Sequence, residues 1–313
     1  MRLAVVGVGG LGGYFGARLA QAQNDVRFLA RGRHLEALRT HGLRVQSVLG
    51  DVALAPAQVP AADDPYQIGP VDVVLFTVKS FDTEAAARLL PALLRPDTAV
   101  ISLQNGVDNE EKLSSEIGAE HVVGGAAYIF VGLVEPGVVR HSGGPTRLVF
   151  GELDGRPSAR LEAFRDACLR AGFGAEIVPD IRAALWTKYA FICAQAGTTA
   201  AARQPIGVIR QTPATWALFR RVVEEAWRVG RAEGVRLPDD LVQRQLDLAA
   251  RIEPANYSSL HDDLVAGRRM ELDALLGELV RRGERAGVPT PAAEALYAVL
   301  RPWADRGVEP AER

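Results

Sequence analysis

Lysine is scarce in this chain of 313 residues: of 36 basic side chains only Lys79, Lys112 and Lys188 are lysines, so arginine serves almost wherever a cation is wanted. The three exceptions mark places where a compact, titratable amine does what a permanently charged guanidinium cannot. Net charge is also lacking, at −2, which removes the basic footprint expected of a nucleic-acid partner. Two cysteines, Cys168 and Cys193, cannot build a disulfide framework, and no Cys/His cluster has metal-ligand spacing. We therefore expect a reducing cytoplasm and no bound metal. The longest nearly apolar stretch, Val122 to Val134, is too short and too glycine-rich for a bilayer span of about 20 residues, so no membrane partner is expected. Met1 to Gly16 opens with a cation and an apolar run as a signal peptide does, but its glycines are spaced for a turn.

What is present is 48% hydrophobic, enough for an ample core, and the length suggests about two domains. Apolar runs at Leu3–Val6, Val26–Ala30, Val71–Val78 and Ala99–Leu103 alternate with helical stretches at Leu11–Ala22, His34–Thr40, Thr83–Leu94 and Asn109–Ile117. Continuous apolar strands separated by helices predict a parallel sheet covered on both faces, a doubly wound, Rossmann-type α/β domain. Three strands without helices follow (126–134, 137–143 and 147–153), then a helix over 158–171 and a strand over 175–178. From Pro179 the text turns helical: 181–202, 213–233, 238–251, 258–286 and 291–304, with prolines at starts and Gly287 as a stop. The expected division is a dinucleotide-binding domain over 1–179 and an all-helical substrate and catalytic domain over 180–313, ending in a frayed tail from Gly307 to Arg313.

Gly7, Gly9 and Gly12 form G-x-G-x-x-G directly after a strand and at the opening of a helix. Gly7 makes the tight turn, Gly9 admits a pyrophosphate close to the backbone, Gly12 lets helix and strand pack, and the N–H groups through Gly10 and Leu11 face the anion. At the end of the second strand, where an NAD enzyme carries an acid for the ribose 2′-hydroxyl, stands Arg31. It reads either as a bidentate partner for a 2′-phosphate, making the cofactor NADP(H), or as one more surface arginine. Lys79 and Asn105 each follow a strand at the carboxyl edge, where open α/β sheets bind ligands; Asn105 is otherwise a turn residue beside Gly106. Lys188 lies in a helix that is apolar almost all round. It either titrates near neutrality by desolvation or snorkels to solvent. Glu271 and Ser259 read, by pattern alone, as polar positions of an amphipathic helix, and Lys112 as an exposed partner of its neighbouring glutamates.

Together, Gly7 to Gly12, Thr77-Val78-Lys79, Gln104-Asn105-Gly106, Trp186-Thr187-Lys188, the runs Ser258 to Asp263 and Gly267 to Asp273, and Gly287 to Pro291 resemble the ketopantoate reductase family, in order and over essentially the whole chain. The resemblance implies NADPH-dependent reduction of a 2-keto acid to a 2-hydroxy acid, ketopantoate to pantoate on the route to pantothenate. It implies Lys188 as general acid, Glu271 as the carboxylate that orients it, Asn105 and Lys79 between nicotinamide ribose and substrate, and Ser259 as a substrate-carboxylate contact. One departure stands out. Where the pantoate-forming pattern has asparagines four and eight residues after the lysine, this chain has Ile192 and Ala196. Gln195, seven residues on, falls along the Lys188 face and could supply one amide to substrate. The alternatives are a reductase of a less polar 2-keto acid, a related hydroxy-acid dehydrogenase, and an NADP-sensing protein without turnover. Apolar faces of the helical domain could serve a homodimer.

Overall fold

Runs of Val, Leu, Ile and Phe build the sheet of the first unit. A computed structural model describes residues 1–306, so the tail expected over 307–313 lies outside the described residues. The strands are β1 (Arg2–Val6), β2 (Asp25–Leu29), β3 (Leu43–Ser47), β4 (Val52–Leu54), β5 (Ala61–Ala62), β6 (Val73–Phe76), β7 (Ala99–Ser102), β8 (Val122–Glu135), β9 (Val138–Glu152) and β10 (Gly174–Ile177). Their order is β4-β3-β9-β8-β7-β6-β1-β2-β5, with β10 beside β9. The stretch from β5 through β2, β1, β6 and β7 to β8 is parallel throughout. Residues of β1, β6 and β7 are almost wholly buried, as expected for a sheet covered on both faces. The chain passes from β1 to β2 on one side and returns to β6 on the other, so the reversal of strand order falls between β1 and β6. Crevices outside the carboxyl ends of strands at such a point take ligands.

The Rossmann-type α/β class expected from the sequence is the one found, with two departures in detail. The segments 137–143 and 147–153 are not separate strands but parts of the single strand β9, antiparallel to β8. Gly143 and Gly144 (φ +120° and +78°) and Pro145 read as a turn, yet they are absorbed as an irregularity between the Tyr128–Arg147 and Phe130–Gly143 pairs. The short strands β3, β4 and β5 carried too little apolar periodicity to be recognised.

The chain divides into two units, 1–104 with 109–181, and 105–108 with the residues from Arg182 onward. The second unit is helical: Ile181–Ala202, Ile206–Gln211, Pro213–Ala232, Leu241–Arg251, Ser259–Val265, Glu278–Ala286 and Pro291–Leu300. Its core gathers Trp186, Tyr189, Phe219, Val222, Leu276 and Leu279, and the helix Ile181–Ala202 is apolar all round because it is packed on nearly every side. The single helix expected over 258–286 is broken in two, a correction that moves Glu271 off a regular helix. Gly267 adopts φ +63°, its N–H returns to Leu264 C=O (3.2 Å), and Arg268 N–H returns to Asp263 C=O (2.8 Å), the paired bonds of a glycine helix stop. The chain resumes as a wide π turn over Asp273–Gly277, in which Gly277 N–H reaches back five residues to Leu272 C=O (3.0 Å). Among the described residues, no helix is long and apolar enough to cross a membrane, and no three His, Cys, Asp or Glu side chains group as metal ligands.

Candidate active site

The glycine loop leaves β1 with Gly7 at φ +93°, where a Cβ would stand 2.6 Å from Val78 N. A Cβ on Gly12 would stand 2.4 Å from Thr77 Oγ1 and 2.5 Å from Gly7 C=O, so helix Gly10–Gln21 and the strands beneath it meet only because that residue has no side chain. Thr77 Oγ1 donates to Gly7 C=O at 2.7 Å, tying the end of β6 to the loop. Gly9 differs from both neighbours: a Cβ there would meet no atom within 4 Å. The first i→i−4 bond of the helix runs from Gly13 N–H to Gly9 C=O, so the N–H groups of Gly10, Leu11 and Gly12 have no intrahelical acceptor. Open space over unpaired donors at a helix N-terminus fits a dinucleotide pyrophosphate.

Arg31 caps the start of helix Gly32–His41 in extended conformation. Its side chain is exposed and pairs with Asp82 at 2.7 Å. Lys79 is exposed beyond β6 and precedes the short 3-10 turn Ser80–Asp82. Asn105 is half-buried, and the segment 105–108 belongs to the helical unit rather than to the sheet from which the chain emerges.

In the helical unit, Lys188 keeps partial solvent access, but protein surrounds it closely enough that desolvation lowers its pKa to about 8, with the charge of Glu271 pulling the other way. The structure thus brings Lys188 and Glu271 within electrostatic reach despite 83 intervening positions of chain. Ile192, Gln195 and Thr199 follow Lys188 at helical spacing along one stripe. Ile192 is half-buried and Ala196 is buried. Gln195 is 7% exposed, and its Nε2 has no hydrogen-bond partner in the protein. One turn farther, Thr199 Oγ1 donates to Gln195 C=O (2.7 Å) and shares a hydrogen bond with Ser258 Oγ (2.8 Å). Ser258 also caps its helix by accepting from His261 N–H (3.1 Å), which leaves Ser259 as the first helical residue, exposed at the surface.

The family model for ketopantoate reductase PanE/ApbA matches residues 3–155, and the model for its C-terminal region matches residues 180–304. A 2-dehydropantoate 2-reductase of Caulobacter vibrioides is 34% identical over 299 residues, covering 95% of this chain and 97% of that protein. The uncharacterized oxidoreductase YkpB of Bacillus subtilis is 32% identical over 96% of this chain and 98% of its own length. The crystal structure of a PanE/ApbA family ketopantoate reductase from Ralstonia eutropha superposes with a TM-score of 0.88 at 36% identity, covering 97% of this chain and 98% of that one. The chain belongs to the ketopantoate reductase family.

Membership makes the chain an oxidoreductase acting on CH–OH donors and carries with it a nicotinamide cofactor. Against that background three further residues support the site, and sequence reading passed over each. Gln104 Nε2 donates to Val78 C=O (3.0 Å) and Thr83 Oγ1 (2.7 Å), bracing the backbone beside Lys79. Its position at a strand end was the available signal. Ser258, rather than only Ser259, connects its segment to the Lys188 helix. Arg282, read as one arginine among many, is buried and donates to Val107 C=O at 3.2 Å.

Proposed function

We propose that this ketopantoate reductase family member reduces a 2-keto acid to the 2-hydroxy acid with NADPH, and that 2-dehydropantoate, converted to pantoate for pantothenate synthesis, is its substrate. The observation that carries the proposal is Lys188: an ammonium on an apolar helix, lowered to about 8 and opposed by Glu271. Reduction of a ketone develops negative charge on the carbonyl oxygen. A cation that releases a proton near neutral pH both stabilises that charge and completes the alcohol. When bound, the reduced nicotinamide supplies the hydride.

Lys188 donates its proton to the carbonyl oxygen, and Glu271 keeps the ammonium charged and oriented until it does so. Asn105 and Lys79 hold the nicotinamide ribose and the substrate, and Ser259 receives the substrate carboxylate. Gln195 donates through its otherwise unpartnered Nε2 to a hydroxyl or carboxylate oxygen of substrate. Gly7, Gly9, Gly10, Leu11 and Gly12 hold the pyrophosphate. Arg31, whose partner Asp82 is a single surface carboxylate, is available for a 2′-phosphate, which favours NADPH over NADH. The buried free thiols Cys168 and Cys193 accord with a cytoplasmic enzyme.

Ile192 and Ala196 favour a second reading, in which the substrate is a less polar 2-keto acid. A wall without hydrogen-bonding groups discriminates weakly for a hydroxylated substrate, and Gln195 offers one donor where two amides are absent. Steady-state oxidation of NADPH and NADH with a panel of 2-keto acids tests both readings. The primary reading expects the highest kcat/KM with 2-dehydropantoate and NADPH. A higher value for an unhydroxylated keto acid selects the second reading, and no oxidation with any of them removes both.

A further inference from the structure

The helical unit buries one guanidinium among three acceptors. Arg282, 4% exposed on helix Glu278–Ala286, donates to Glu233 Oε2 at 2.7 Å. Its Nε lies 2.8 Å from Glu278 Oε1, an ion-pair approach outside hydrogen-bond alignment. Its remaining Nη donates to the carbonyl of Val107. Both carboxylates are themselves fixed, Glu278 by Arg281 (2.9 Å) and Arg285 (3.0 Å), and Glu233 by Arg182 (3.2 Å). Burial pushes the Glu278 carboxyl up, but its arginine partners outweigh burial and leave it below the usual range.

Val107 stands two residues from Asn105, in the segment that leaves the sheet after β7 and joins the helical unit. Its side chain enters the helical core, and Asp108 beside it acts electrostatically on Tyr189, the neighbour of Lys188. Stability alone does not call for such a cluster, because apolar side chains of similar volume usually serve a core as well as or better than buried ions. What a guanidinium adds is direction: a planar fork whose donors leave at fixed angles.

We infer that Arg282 is a positioning residue: through the Val107 carbonyl it fixes the backbone that carries Asn105, so that the Asn105 carboxamide is held in register with Lys188 and Glu271 on the same unit. The inference rests on the proposed role of Asn105. It makes the proton donor, its carboxylate and the carboxamide one preassembled set, although Asn105 comes from a strand end of the other unit's sheet.

The test compares the full-length wild type with Arg282→Lys, which keeps the charge and loses the fork. Hydrogen exchange in the peptide covering 105–108 is expected to quicken about tenfold or more. The kcat for 2-keto acid reduction is expected to fall about tenfold while the Kd for NADPH, followed by its fluorescence, stays within about twofold. In an Asn105→Ala background the same substitution is expected to lower kcat by less than about twofold, because the group being positioned is gone. Unchanged exchange at 105–108, an undiminished kcat despite faster exchange, or an equal loss in both backgrounds would overturn the inference. Should Arg282→Lys lose its cooperative thermal transition, Glu233→Gln, which removes one anchor of the guanidinium, is put through the same comparisons. If the wild type reduces no 2-keto acid, the functional reading falls by itself, and the exchange measurement still decides the tether.

Discussion

Replacing Glu271 by glutamine removes the charge that opposes desolvation of Lys188, and the effect is readable as a shift in pH dependence. With the Lys188 pKa at about 8, reduction should proceed at full rate below that pH and decline above it as the ammonium is lost. At pH 7.5 about three quarters of the enzyme carries the proton. Glu271 raises the Lys188 pKa, so Glu271→Gln leaves desolvation unopposed and the basic limb moves below 8. Each unit of descent measures about 1.4 kcal/mol of attraction between the two side chains, and one unit would leave only about a quarter of the enzyme competent at pH 7.5. The assay is kcat/KM for keto-acid reduction from about pH 6 to about pH 10, since that ratio reports the free enzyme. A basic limb that stays in place or rises in Glu271→Gln would refute the coupling. A wild-type limb above about pH 10 would refute the desolvated lysine itself.

Stability supplies an independent reading of the same group. The folded Lys188 pKa lies below the unfolded value of 10.5, so the protonated side chain opposes folding below pH 8 and the opposition fades as pH rises toward 10.5. Lys188→Met should therefore raise Tm at pH 7, by an amount corresponding to at most roughly 3 kcal/mol, less for its partial solvent access, and should lose that advantage near pH 10.5. An equal gain at both pH values would contradict it. Gly9→Ala and Gly12→Ala should separate binding from folding. The first adds a methyl to open space and should weaken NADPH binding with Tm unchanged, whereas the second drives a methyl into Thr77 and should cost about 1–3 kcal/mol in a denaturant titration. Gln195→Met removes a buried donor with no partner in the protein; it should raise Tm while raising KM for a hydroxylated keto acid, and an unchanged KM takes Gln195 out of the site.

The β1-loop-helix unit was legible because three constraints agree at one place: an apolar run, glycines at fixed spacing and a following amphipathic helix. The Lys188 helix was legible for its unbroken apolar text, and its observed span of Ile181–Ala202 coincides with the expected one. The break at Gly267 was not, because a single glycine in a helical pattern weighs only about 1 kcal/mol and the apolar spacing runs past it. The glycines and proline at 143–145 misled in the opposite sense: their local preference for a turn yields to the ladder that β8 and β9 form on either side. The tether through Arg282 was invisible for another reason. Nothing in the spacing of Val107 and Arg282, 175 positions apart, signals that one accepts a hydrogen bond from the other.

The π turn over Asp273–Gly277 has a consequence for how this chain tolerates change in length. It joins two groups that must each face a particular way: Glu271 just before it and the Glu278–Arg282 pair just after it. A π turn holds one more residue than an α turn, and one residue of a helix corresponds to about 100° of rotation. Deleting any one residue between 273 and 277 would let the segment relax into regular helix with every chemical group retained, yet with its two ends out of phase. The extra residue acts as a phase shifter, and the length of this segment should be less forgiving of deletion than its composition is of substitution.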